Sequence, residues 1–396
     1  MKHKLPKGFK ASGIHCGLKK KRKDLALIVS DRLCSAAALF TTNAVKAAPV
    51  VLGIEQMKKN RGRVKAVVVN SGNANCMTGE RGMQDARKMV SSMAALLGAG
   101  EDTVIVSSTG IIGEFMDMKP VLGGMDKLVR ELSEDGLQDA AEGIVTTDRF
   151  VKIASREFEL KGKSITITGI AKGAGMIHPN MATTLCYIMT DARMSAKAVK
   201  KALKFSADTS FNAITVDGDM STNDTMILMA NGAAGNPVIK DNSEEFSVFK
   251  GRLEAVAMDL ARMIVMDGEG ANRFIEVSVT GAKTLKDARM AAKSIAGSLL
   301  VKCAVLGGDP NWGRIASSVG ASGAVFDPGK LVIRLDGVTF FSGGRAVKHV
   351  DRKKSKVFKG KSVRIEAELS AGSHEARVYS CDISKKYITL NSFYTT

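Results

Sequence analysis

Residues 172–192 read KGAGMIHPNMATTLCYIMTDA, a glycine-rich loop text that gives way to an apolar run, with Thr183 and Thr184 at the join. A threonine hydroxyl is a weak nucleophile unless a base stands beside it. One solution places the threonine at a chain terminus, where its own α-amine, with a pKa of about 7.7–8.0, accepts the hydroxyl proton. An internal threonine reaches that state only when the preceding peptide bond is cut. Ala182 is small and leaves room for the hydroxyl to attack the preceding carbonyl, and Gly173-Ala174-Gly175 lets the lead-in adopt strained backbone. Any β-strand can also open Ala-Thr-Thr, so this stretch alone leaves both readings standing.

A second stretch, VIVSSTGIIGE at residues 104–114, runs a strand into Ser107-Ser108-Thr109-Gly110. A strand end followed by a hydroxyl and a glycine offers a side-chain donor and an exposed backbone N–H together. That is the equipment of an oxyanion hole, where one donor is worth roughly 3–4 kcal/mol of barrier. In isolation the same text also fits a capped strand-to-loop turn. His178 lies near the threonines as a candidate base, although Pro179 and the glycines around it favour a turn residue. The chain contains no G-x-S-x-G elbow, no G-x-x-x-x-G-K-[ST] loop and no H-E-x-x-H. The acidic text VDGDMSTNDT lacks the twelve-residue calcium-loop spacing with its closing glutamate. Asp217, Asp219, Asn223 and Asp224 are therefore expected to be turn and site-supporting residues, and no metal is expected.

These residues need a scaffold, and 396 residues suffice for two domains. The chain is 45% hydrophobic but only 5% aromatic, so Val, Ile, Leu, Ala and 20 methionines must build the core. Strand-like runs recur at 25–29, 64–69, 104–107, 165–170, 185–189, 274–279, 331–335, 363–367 and 376–383. Between them lie helical patterns at 83–97, ending at Gly98, after Ser195 as an N-cap, and at 253–265, ending at Asp267-Gly268. The expected class is α/β (α+β), with a boundary within 175–195.

The net charge of +18 attracts anions without choosing among nucleic acid, lipid and small acidic metabolites. The basic clusters at 19–23 and 352–356 lack interleaved aromatics and any nucleic-acid-binding motif, so solvated turns are expected there. Six scattered cysteines (Cys16, Cys34, Cys76, Cys186, Cys303, Cys381) form no C-x-x-C pair, and no signal-peptide text opens the chain. A cytoplasmic protein with neither membrane nor nucleic-acid partner is the expectation.

Longer motifs then appear in a specific order: DLALIVSD, FTTNAVKAAPV, VVVNSGNANCMTGERG, SSTGIIGE, TTDRF, AKGAGMIHPNMATTL, ITVDGDMSTNDT, MDGEGA, GGDPNWGRI and the ending YITLNSFYTT. Over nearly its whole length the chain resembles the ornithine acetyltransferase family of arginine biosynthesis, also called glutamate N-acetyltransferases. The resemblance implies a two-domain DmpA/ornithine-acetyltransferase-like fold cut autocatalytically between Ala182 and Thr183. It implies an α chain, 1–182, carrying the oxyanion hole, and a β chain, 183–396, opening with the nucleophile Thr183 and carrying the C-terminal α/β domain. Thr109 and Gly110 match the oxyanion-hole pair. Thr146, Lys172, Thr183, Glu269, Asn391 and Thr396 match the substrate-binding positions.

The implied reaction is ping-pong acetyl transfer from N2-acetyl-L-ornithine to L-glutamate through an acetyl-threonine. No cofactor is implied; some family members also take acetyl-CoA as a co-substrate, and the family suggests two α and two β chains per assembly. Chemistry suggests that cationic Lys172 meets a substrate carboxylate and that anionic Glu269 meets the ornithine ammonium. The alternative is an N-terminal-nucleophile amidohydrolase or aminopeptidase of related fold. One departure stands out: Thr184 follows the nucleophile where the family commonly has methionine. On extended backbone two adjacent hydroxyls face opposite ways, so only one can face the oxyanion hole.

Overall fold

A computed structural model describes residues 3–178, 184–347 and 356–393. The first part of the chain contains β1 (Phe9–Ile14), β2 (Leu25–Phe40), α1 (Ala48–Lys59), β3 (Arg63–Asn73), α2 (Gly79–Leu97), β4 (Val104–Ile111), α3 (Met118–Arg130), α4 (Leu137–Ile144), β5 (Lys152–Leu160) and β6 (Lys163–Lys172). There follow β7 (Leu185–Thr190), α5 (Ala196–Thr209), β8 (Thr225–Ala230) and α6 (Glu244–Met266). The last part contains β9 (Phe274–Ala282), α7 (Leu285–Gly297), α8 (Leu299–Gly307), α9 (Trp312–Gly320), β10 (Val332–Leu335), β11 (Val338–Ser342), β12 (Arg345–Ala346), β13 (Ser362–Glu368), β14 (His374–Cys381) and α10 (Lys385–Phe393).

Two mixed sheets organise these elements. The larger runs β4-β3-β2-β8-β7-β6-β5, with β1 paired to β2. Its middle strands are apolar almost throughout because both faces are covered. In β7, Cys186 and Ile188 point into a core formed with α5 and α6, whereas Leu185, Tyr187 and Met189 join the core under α4. β8 repeats the alternation, with Met226 and Leu228 on the first side and Ile227 and Met229 on the second. The helices α2 and α3 bury Met89, Met93, Val121 and Met125 against β2, β3 and β4. Ser195 caps α5 by accepting from Ala198 N–H, and Gly98 ends α2 in left-handed backbone at φ 58°. The smaller sheet, ordered β12-β11-β10-β13-β9-β14, packs on α7, α8 and α9 around Val277, Ile295, Val305 and Ile365.

The sheets do not divide where the expected cut falls. β7 and β8 pair in parallel at the centre of the first sheet, and α5 and α6 cover it, although all four follow residue 183. The second sheet begins only at Phe274. Segments 1–182 and 183–396 are thus interleaved in one sheet, and the change of layer lies between α6 and β9 rather than within 175–195. The glycine loop breaks the hydrophobic pattern because it passes the site, not because a new domain starts there.

Candidate active site

The strand ends β3 and β4 build one wall. They run parallel to Ser71 opposite Thr109, where the register then shifts beside Gly72, at φ 115°, and Gly110, at φ 137°. A Cβ at Gly110 would stand 2.2 Å from the carbonyl carbon of Gly72, so only glycine allows this approach. Buried Asn223 holds the two strand ends together, its Nδ2 donating to Ala74 O at 2.6 Å and to Ser108 O at 2.8 Å.

The opposite wall is β6 and the loop after it. Lys172, the last residue of β6, donates from Nζ to Thr109 Oγ1 at 3.2 Å. Burial lowers its pKa from the ordinary lysine value, opposed mainly by the charge of Asp148. Asp148 accepts from Lys152 Nζ at 2.6 Å, from Gly173 N–H at 2.8 Å and from Thr146 N–H at 3.0 Å. Burial acts to raise its pKa, but Lys152 and Lys172 together with these hydrogen bonds hold it well below the usual carboxylate range. Lys152 also donates to Asp267 at 2.6 Å, and Asp267 accepts from Arg149 Nε at 2.9 Å. Lys152 and both carboxylates are fully buried. This cluster fixes Thr146, Gly173 and the turn carrying Glu269 relative to one another.

Glu269 donates its N–H to Ala174 O at 2.9 Å, and its Oε2 accepts from Asn391 Nδ2 at 2.9 Å. A Cβ at Gly175 would lie 2.6 Å from the Glu269 carboxyl carbon, so the glycine makes room for that side chain. Asn391 arrives on α10, which packs so closely on Gly270 that a Cβ there would lie 2.5 Å from Tyr387 N. The lead-in to β7 is fastened at 176–178. Asp217 accepts from Met176 N–H at 2.6 Å and from Ile177 N–H at 2.8 Å. His178 Nδ1 lies 3.1 Å from Thr215 Oγ1, and burial lowers its pKa.

Thr109, Gly110, Thr146, Lys172, Glu269 and Asn391 all line one pocket of about 130 Å³, together with Thr184 just before β7. Ala182, Thr183 and Thr396 lie outside the described residues, as does most of the basic cluster 352–356. Among the described residues no group of three or more His, Cys, Asp or Glu side chains could hold a metal ion. The sequence motifs did not single out Asp148, Lys152 or Asp267. TTDRF and MDGEGA contained the two acids, but only the fold shows that Lys152 lies between them. Asn223 and Asp224, expected as supporting residues, line the pocket itself. Among the described residues no single helix is long and apolar enough to cross a membrane.

The sequence model of the ArgJ family matches residues 10–396. The chain is 48% identical over 399 residues to the arginine biosynthesis bifunctional protein ArgJ of Caldanaerobacter subterraneus subsp. tengcongensis, covering 100% of this chain and 98% of that one. It is 44% identical over 396 residues to the arginine biosynthesis bifunctional protein ArgJ of Thermotoga neapolitana, covering 99% of this chain and 100% of that one. Among solved structures, the arginine biosynthesis bifunctional protein ArgJ of Bacillus halodurans is 42% identical, covering 46% of this chain and 95% of that one, with a TM-score of 0.44. By the extent of the family match and by identity along its full length, the chain belongs to the ArgJ family.

Proposed function

We propose that this chain transfers an acetyl group from N2-acetyl-L-ornithine to L-glutamate by a ping-pong route through Thr183. The observation that carries this reading is the convergence of Thr109, Gly110, Lys172, Glu269 and Asn391 on one pocket at the start of β7. In this reading Thr183 is freed by scission after Ala182, and its α-amine takes the hydroxyl proton as the hydroxyl attacks the acetyl carbonyl. Thr109 and the Gly110 N–H hold the oxyanion. Lys172 and Thr146 receive the amino-acid backbone of the substrate, Glu269 its ammonium, and Asn391 with Thr396 closes the far side. Ornithine leaves, and glutamate collects the acetyl group from the ester. No cofactor is needed for these steps, and acetyl-CoA is a second donor to be tested. Family membership supports a cytoplasmic assembly of two α and two β chains.

The test is an assay of purified protein with acetylornithine and glutamate, run beside mass spectrometry of the same material. Acetylglutamate formation by a two-chain protein whose second chain begins at Thr183 is expected. A single intact 42.1 kDa species that is fully active would sink the mechanism. A second chain beginning at Thr184 would move the nucleophile by one residue. Free acetate released in the absence of glutamate, with no acetylglutamate when glutamate is present, would point to the hydrolase reading instead.

A further inference from the structure

Asp224 is 2% exposed and lines the pocket, yet its Oδ2 has no hydrogen-bond partner among the described residues. Thr184 Oγ1, on a residue 4% exposed, lines the same pocket and also has no partner among the described residues. The strands set these residues side by side. Leu185 lies opposite Thr225 in the parallel β7–β8 ladder, and Thr225 N–H donates to Thr184 O at 2.9 Å. A buried polar atom without a partner is costly, so two at adjacent strand ends mark a place where the occupant of the cavity completes the bonding.

The other acidic groups around the pocket are committed or open to solvent. Asp217 accepts the Met176 and Ile177 N–H groups, Glu269 accepts from Asn391, and Asp148, behind the wall, holds Lys152, Gly173 and Thr146. Asp219 is exposed. The nearby cation, Lys172, is bonded to Thr109. Among the described lining residues, Asp224 is thus the buried carboxyl with a free oxygen.

We propose that Asp224 is the proton-transfer residue of this pocket, giving a proton to the amine nitrogen that leaves the acyl carbon and taking one from the amine that enters. The inference rests on the acetyl-transfer reading above. In the first half-reaction the nucleophile oxygen bonds to the acetyl carbon and its proton passes to the freed α-amine. The carbon–nitrogen bond then breaks, its electron pair stays on nitrogen, and that nitrogen takes the Asp224 proton. The α-ammonium returns a proton to the Asp224 carboxylate. One proton has then moved from hydroxyl to amine, and the acetyl group is an ester. The second half-reaction runs the same steps backwards with the incoming amine.

The chemistry needs a carboxyl that is protonated near neutral pH. Burial pushes Asp224 well above the usual carboxylate range, with Ser221 and the charge of Lys172 opposing it without cancelling it.

The test compares two acetyl donors in D224N and D224A. Acetylornithine has an amine leaving group that must be protonated, whereas p-nitrophenyl acetate has a phenolate leaving group that needs no proton. With acetylornithine, kcat should fall by roughly 10²–10⁴-fold, the usual worth of a general acid, and the aryl ester should lose far less. Added formate should restore D224A on the amide donor. Loss of the same size on both donors, or unchanged amide transfer, overturns the proposal. The bond after Ala182 is itself an amide, so a variant left as one uncut chain is read through formate-dependent cutting. Restored cutting supports the proposal, and none overturns it. A parent protein that moves no acetyl group from acetylornithine would instead remove the acetyl-transfer reading.

Discussion

Lys172 Nζ donates to Thr109 Oγ1 at 3.2 Å, so the single hydroxyl proton of Thr109 is free to point into the pocket. The lysine thereby sets the direction of the donor as well as the local charge. T109A removes the donor and should lower kcat by roughly 10²–10³-fold, the cost measured for single oxyanion donors. K172M should lower kcat and also raise KM for both amino-acid substrates. Burial lowers the Lys172 pKa, so its charge is lost at lower pH than for an exposed lysine. KM should therefore climb on the alkaline side before the ordinary lysine value of about 10.4 is reached, and that limb should vanish in K172M.

Gly110 tests the same wall sterically. With φ at 137° and a Cβ position 2.2 Å from the Gly72 carbonyl carbon, G110A must push β4 away from β3 or rotate its own N–H. Either movement misaims the N–H proposed to hold the oxyanion. Acetyl transfer should fall by at least about 10²-fold while far-ultraviolet circular dichroism stays unchanged, because the clash lies at the end of the strand pair. Parent-like kcat in G110A would show that this N–H does not contact the oxyanion.

Much of the first sheet was legible in the chain because its strands announce themselves by composition. Runs at 64–69, 104–107 and 185–189 form the cores of β3, β4 and β7, and Ser195 caps α5 as its hydroxyl suggested. Other elements had weaker signals. β2 continues to Phe40 through Asp31 and Arg32, which interrupt the apolar pattern, and its pairing with β3 is irregular between Val29 and Cys34. The final helix α10 has no buried residue, so no amphipathic stripe betrays it. Within the site, local text exposed Thr109 and Gly110, whereas Lys152 and Asp267 stand 115 residues apart and meet only through folding.

That buried cluster has a consequence for stability. Lys152 neutralises Asp148 and Asp267 where all three side chains are shut away from water. K152M leaves two buried carboxylates without their shared cation, and breaking a buried pair in this way costs about 3–5 kcal/mol. Thermal unfolding should shift down by many degrees and activity should fall with it. Asp148 has a depressed folded pKa, so its share of stability is complete above the unfolded value of about 3.9 and drains away as pH falls towards the folded value. The acid limb of stability against pH should be shallower in K152M than in the parent.

Glu269 and Asn391 join the turn after α6 to the final helix through one 2.9 Å hydrogen bond. If the carboxylate faces an ammonium, the two amino-acid substrates should respond differently to its removal. Acetylornithine carries a side-chain ammonium and glutamate a side-chain carboxylate, so E269Q should raise KM for acetylornithine well above any change for glutamate. N391A keeps the charge but frees the carboxylate from its tether. It should raise KM for both substrates by about tenfold, equivalent to roughly 1.4 kcal/mol, close to the lower end of the range for a hydrogen bond to a charged group. Steady-state kinetics with each substrate varied in turn separates the two patterns. Equal changes for both substrates in E269Q would assign Glu269 to holding α10 in place, with no direct part in choosing between the two amines.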